Sequence, residues 1–217
     1  MKKNNHHYIA VTGTMGAGKT TAAKILAKYL RFELIEENFG ENAFLSRFYK
    51  DMQKWAFHSQ TFFLMEKLNQ MLKTADLIKK KSVIQDTPLY QDVFSYAKAQ
   101  HITGHMDDAE WKLYQKIYRS FVSYIPKPTH IIYLKTSLDI VKNRIAGRRR
   151  SFESQIPDGY LELLEMLNDG WMKKEIGGER VLVVETDHLD LVKNKNDIRA
   201  FVKLVKNEIA LRPQKNY

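Results

Sequence analysis

The segment Gly13 to Thr20, GTMGAGKT, fills every fixed position of the pattern G-x-x-x-x-G-K-[ST]. Gly16 and Gly18 let the backbone turn its amides inward without a Cβ clash. Lys19 can carry its charge to the β and γ phosphates of a nucleotide, and the Thr20 hydroxyl can ligate Mg²⁺. Together with Met15, Ala17 and Thr21, these residues are the expected contacts of a nucleoside triphosphate. Phosphoryl transfer then needs three more things: a carboxylate that orients or deprotonates the acceptor hydroxyl, a carboxylate for the metal, and cations that neutralise the moving group. Glu36 and Glu37 close one apolar run, Asp86 closes another, and RIAGRRRSFE supplies Arg144, Arg148, Arg149 and Arg150.

The elements that must position these residues can be read from the pattern. Five runs have the composition of buried strands: YIAVTG from residue 8, FELIEE from 32, SVIQD from 82, HIIYLKT from 130 and RVLVVETD from 180. Helical patterns lie between and after them, over Thr20 to Leu30, about Gln53 to Ile78, about Asp107 to Ile125, and from about Asp197. Alternating strands and helices predict an α/β fold with a mainly parallel five-stranded sheet covered on both faces. In such a sheet the carboxyl ends of the strands share one edge, which brings the phosphate loop, Glu37 and Asp86 to one crevice.

Composition narrows the classes. The 217 residues, 44% of them hydrophobic, suit one domain spanning 1–217. With no cysteine, a disulfide framework or thiolate metal site is excluded, and a reducing interior is the expected setting. No apolar run is long enough for a membrane helix and the first residues, MKKNNHHYIA, lack a signal-like apolar stretch, so a soluble cytoplasmic protein is expected, with no membrane partner. The net charge of +10 invites a polyanion, yet the basic residues are dispersed among IKKK, GRRR and the last helix rather than gathered on one face. That dispersion argues against nucleic acid. Seven histidines show no metal-ligand spacing. Two helices carry more large apolar residues than one buried stripe requires: Trp55, Phe62, Phe63, Met65, Leu68, Met71 and Leu72 in one, and Trp111, Leu113, Tyr114, Ile117, Tyr118 and Phe121 in the other. Helix packing in a homodimer is the expectation.

From the phosphate loop to about residue 190 the chain resembles the deoxynucleoside kinases, P-loop enzymes that move the γ-phosphoryl of ATP to the 5′-hydroxyl of a deoxynucleoside. The resemblance rests on EENFGENAFLSRFYKDMQKWAFHSQTFFL, QDTPLYQDVFSYAKA, EWKLYQKIY and NRIAGRRRSFE followed by GYLELLEML. It implies Glu37 as the base facing the 5′-hydroxyl and Tyr49 with Glu162 as the pair that holds the sugar 3′-hydroxyl. Gln60 and Asp92 would read the base and Trp55 would wall it. Arg148 and Arg150 would close on the phosphates from a lid over about 146–156, with Arg144 at its root. Asp86 joins Thr20 at the Mg²⁺. Singly, Glu37 could be a solvated strand end, Tyr49 and Trp55 plain core, and RRR a solvated loop; their joint order behind an intact phosphate loop favours the functional reading.

The chain also departs from that pattern. Asn38 follows Glu37 where the family usually has proline, and Thr87 follows Asp86 where it usually has an arginine beside the 5′-oxygen. Lys67 stands at the place of a cation near the base, where Arg is common. An arginine of RRR, Arg149, is expected to supply the charge that Thr87 lacks. Two rival readings share the loop: a nucleoside monophosphate kinase of the thymidylate kinase type, and a basic P-loop protein that binds nucleotide or nucleic acid without phosphorylating a small molecule.

Overall fold

The computed structural model describes residues 6–37, 42–148, 156–174 and 181–211. Five strands, β1 (Tyr8–Gly13), β2 (Glu33–Ile35), β3 (Val83–Asp86), β4 (His130–Lys135) and β5 (Val181–Glu185), form one sheet in the order β2-β3-β1-β4-β5. Every neighbouring pair is parallel, as the alternation of strands and helices predicts. β1 matches its apolar run residue for residue and β3 loses only Ser82 at its start, whereas the runs of β2, β4 and β5 extend past the strands into the loops that leave the sheet. Central β1 is buried along its whole length, since both faces of a parallel sheet are covered.

The two-residue period of β1 feeds two cores. Tyr8 and Ala10 face a cluster with Leu64, Leu68 and Met71 of α3 (Met52–Leu77) and Tyr114 and Tyr118 of α6 (Asp108–Phe121). Ile9 and Val11 face the opposite cluster, with Ala22 and Leu26 of α1 (Lys19–Leu30) and Phe201 and Val205 of the last helix, Lys195–Leu211. Asp107 caps α6 with a complete capping box: its carboxylate accepts from the Glu110 amide, and the Glu110 carboxylate accepts from the Asp107 amide. This box sharpens the expected helix start.

Two features were not legible as patterns. After β3 the chain forms one helical rod of α4 (Leu89–Gln91), a π-helical segment Asp92–Ala97 and α5 (Lys98–Ile102). Before α3 comes the short α2 (Leu45–Lys50). The remaining elements are α7 (Leu138–Gly147) and α8 (Asp158–Lys174); the helix that ends the described chain is α9. The apolar surplus of α3 and α6 divides: Leu68, Met71 and Tyr114 enter the core, while Met65, Leu72, Leu113 and Phe121 remain exposed. Among the described residues no helix is long and apolar enough to cross a membrane.

Candidate active site

Register sets the site. Val11 of β1 lies beside Asp86 of β3, and Gly13 lies beside Leu134 of β4, so the phosphate loop leaves the sheet between two strand ends. Gly13 has φ +150°, and a Cβ there would stand 2.6 Å from the Leu134 carbonyl oxygen. Only glycine allows that approach. At the other end of the loop Gly18 caps α1 without any side-chain bond, so the amides of the first turn are not met by a capping side chain and suit a phosphate. Lys19 Nζ folds onto the loop's own carbonyls, donating to Gly13 O at 2.9 Å and Thr14 O at 3.3 Å, with the Tyr96 hydroxyl at 3.4 Å. Burial lowers the Lys19 pKa from its ordinary value, opposed by the charges of Glu37 and Asp86.

The loop is held from three sides. Gln91 donates from Nε2 to Gly13 O and accepts from the Thr12 hydroxyl, which ties the loop to α4. Asn168 of α8 lies 3.4 Å from the Thr14 hydroxyl and accepts from Ser95 and the Trp171 indole. Arg144 of α7 donates to Ala17 O at 3.1 Å and Thr186 O at 3.4 Å. Arg144 thus braces the back of the loop in this structure and is not part of the cavity wall.

A cavity of about 480 Å³ opens in front of the loop. Of the residues singled out in the sequence, Met15, Gly16, Gly18, Lys19, Thr20, Thr21, Glu36, Glu37, Tyr49, Gln60, Phe63, Asp92 and Arg148 line it. Gly13 and Ala17 support the loop from behind. Asp86 stands behind Thr20 and accepts a 2.6 Å hydrogen bond from its hydroxyl. A hydroxyl and a carboxylate at a strand end are hard oxygen donors of the kind Mg²⁺ takes along with substrate phosphates, so the pair fits that ion. Among the described residues no group of three acidic, His or Cys side chains could hold a metal without such help.

Other expected contacts sit elsewhere. Trp55 stacks on Phe44, carries the Arg47 guanidinium 5.0 Å above its ring, and packs on the cluster of Phe48, Tyr49 and Ala56. It buttresses the wall from behind. Glu162 is exposed on α8 and off the cavity wall. Glu36 also borders the cavity, at its exposed rim, where it pairs with Lys24 at 2.9 Å; Glu37 is the more buried of the two carboxylates and pairs with Lys67. The ammonium of Lys67, which the resemblance puts at the place of a cation near the base, contacts Glu37 Oε1 at 3.2 Å, Thr87 O at 2.5 Å and Asp86 O at 3.3 Å. Arg149, Arg150, Asn38 and most of the lid at about 146–156 lie outside the described residues.

Tyr96 and Tyr160 also line the cavity and were not singled out in the sequence. Tyr96 stands four residues beyond Asp92 on the π-helical segment, a spacing that could have flagged it. The Tyr160 hydroxyl accepts from Gln100 Nε2 at 3.0 Å, a tertiary contact with no sequence signature. Two buried oxygens in the wall, Gln60 Oε1 and Asp92 Oδ2, have no hydrogen-bond partner among the described residues. Leaving such atoms bare costs free energy that a polar ligand would recover. Burial pushes the Asp92 carboxyl up to about 8, with the Lys67 charge opposing.

The model of the family described as deoxynucleoside kinase matches residues 9–210. The chain belongs to the deoxynucleoside kinase family. Among relatives of this kinase, a deoxyguanosine kinase of Bacillus subtilis is 35% identical over 211 residues, covering 95% of this chain and 99% of the relative. A deoxyadenosine/deoxycytidine kinase of the same organism is 32% identical over 196 residues, covering 89% of each. Among solved structures, a deoxyadenosine kinase from M. mycoides with the products dCMP and dCDP superposes with a TM-score of 0.79 at 27% identity, covering 94% of this chain and 99% of that one. The same protein with bound dATP gives 0.77 at 26% identity, covering 94% and 100%. This protein is therefore an ATP-dependent kinase of deoxynucleosides, and the monophosphate-kinase and non-catalytic readings give way.

Proposed function

We propose that this kinase binds ATP on the loop from Gly13 to Thr21 and places the deoxynucleoside in the adjoining cavity, with its base against Gln60 and Asp92 and its sugar by Tyr49. The carrying observation is that the two unpartnered oxygens of Gln60 and Asp92 share one cavity with Glu37 and Lys19. Glu37 accepts the proton of the 5′-hydroxyl as that oxygen attacks the γ-phosphorus. The bond from that phosphorus to the β–γ bridging oxygen breaks, and ADP leaves with the new charge near Lys19. Arg148 faces the phosphate side of the cavity and adds positive charge to the group in transit, a role the resemblance extends to Arg150. Mg²⁺, when bound by Thr20 and Asp86 with the nucleotide, neutralises phosphate charge.

Tyr49 and Glu162 as partners for the 3′-hydroxyl remain part of the proposal; an exposed Glu162 reaches a sugar only by turning inward. The exposed apolar side chains Met65 and Leu72 of α3 and Leu113 and Phe121 of α6 support a homodimer packed through these helices. A chain without cysteine suits the reducing cytoplasm.

The test is ATP consumption over the four deoxynucleosides, the ribonucleosides and the monophosphates, with Lys19→Ala as the blank. Turnover of deoxynucleosides is expected; turnover of monophosphates alone would overturn the assignment. Light scattering on the purified protein should give twice the chain mass, and a monomer at working concentration would remove the dimer.

A further inference from the structure

Lys67 is 1% exposed, one of the largest fully buried side chains in the protein. A buried ammonium is costly unless each of its three N–H donors finds an acceptor. Here three acceptors stand around it: the Thr87 carbonyl at 2.5 Å, the Asp86 carbonyl at 3.3 Å and Glu37 Oε1 at 3.2 Å. Thr87 has φ +54°, a left-handed conformation that a β-branched residue rarely adopts. Such a backbone persists only where its surroundings over-determine it, and the Thr87 carbonyl in this conformation makes the shortest of the three contacts to the ammonium. Opposite, Glu37 reaches the cavity from the end of β2, where a carboxylate would otherwise turn freely toward water; its side chain is 22% exposed.

We propose that Lys67 is the positioning residue for the base: its ammonium, fixed by the Asp86 and Thr87 carbonyls, holds Glu37 Oε1 and so presents the second carboxylate oxygen to the acceptor's 5′-hydroxyl. The charge that Thr87 does not provide at this strand end thus comes from α3. The inference rests on the reading of Glu37 as the base.

The experiment is a double-mutant cycle in kcat and KM with Lys67→Met, Lys67→Arg and Glu37→Gln, each checked for folding by thermal melting. Lys67→Met should lower kcat about 10²-fold while the KM for the deoxynucleoside moves less than about 3-fold. Added to Glu37→Gln, either change at Lys67 should cost less than about 3-fold more, because a residue that acts through another has no effect once that one is gone. Lys67→Arg keeps the charge and should recover part of the loss; it also carries the cycle if the methionine variant does not fold. Wild-type kcat in folded Lys67→Met, or an undiminished loss in the Glu37→Gln background, would overturn the proposal while leaving Glu37 as the base. Wild-type turnover by Glu37→Gln itself would instead remove the reading beneath it.

Discussion

Thr20, the last residue of the phosphate loop, donates its hydroxyl to Asp86 Oδ2 across 2.6 Å, while Thr87 donates to the other carboxylate oxygen at 3.2 Å. Two segments 66 residues apart in sequence are joined at the point where α1 begins. Burial raises the Asp86 pKa, and the neighbouring Glu37 charge adds to it, so the carboxylate is poised to gain from a nearby cation. Asp86→Asn keeps the shape and removes that charge. Turnover should fall about 10²- to 10³-fold, with a higher Mg²⁺ requirement and little change in the melting temperature of the nucleotide-free protein. An unchanged Mg²⁺ dependence would remove Asp86 from the metal site.

Thr87 presents the opposite case, strain that can be relieved. Its left-handed backbone costs about 1 to 3 kcal/mol in a β-branched residue, a cost glycine does not incur. Thr87→Gly should raise the melting temperature by about 2 to 4 °C per kcal/mol recovered, less the loss of the bond to Asp86. Thr87→Arg, which the sequence suggests as the repair of a missing charge, should do the reverse. The site is 1% exposed and already holds the Lys67 ammonium, so a second cation there would be buried without a partner. Calorimetry on the pair orders them: glycine above wild type, arginine well below.

Asp92 should make stability fall as the pH rises. Burial lifts its pKa in the folded chain to about 8, from an ordinary aspartate value of about 4. Because the folded state holds this proton more tightly, the stabilisation is complete below about pH 4 and is lost as the pH climbs toward 8, at up to about 1.4 kcal/mol per pH unit. Asp92→Asn removes the proton and its slope. Urea midpoints of the ligand-free protein at pH 5.5 and pH 8 should therefore converge in the variant and differ in the wild type. Parallel behaviour of the two proteins would show that Asp92 does not titrate in this window.

Gly13→Ala should disable the loop without touching a reacting group. The new Cβ would meet the Leu134 carbonyl at 2.6 Å, and because that oxygen belongs to the central sheet, the loop must move instead. ATP affinity should drop by at least about tenfold, with a melting temperature several degrees lower. Isothermal titration with ATP separates this from a purely structural loss.

The sequence by itself determined the sheet, its parallel sense and the phosphate loop, because short apolar runs alternating with helical patterns and a glycine pattern are local statements that survive folding. A shared site for Glu37, Gln60 and Asp92 came from the resemblance to the deoxynucleoside kinases, and the three line one cavity. Only the tertiary structure decided what each polar group touches. Lys67, read as a cation near the base, reaches Glu37 and the end of β3 because α3 packs against the helical rod that follows β3; Arg144 braces Ala17 because α7 passes behind the loop; Tyr160 enters the wall because α8 packs against the rod that carries Asp92 and Gln100. Such partners are chosen by where helices cross the sheet, at separations of 30 to 127 residues, and no spacing in the chain records them.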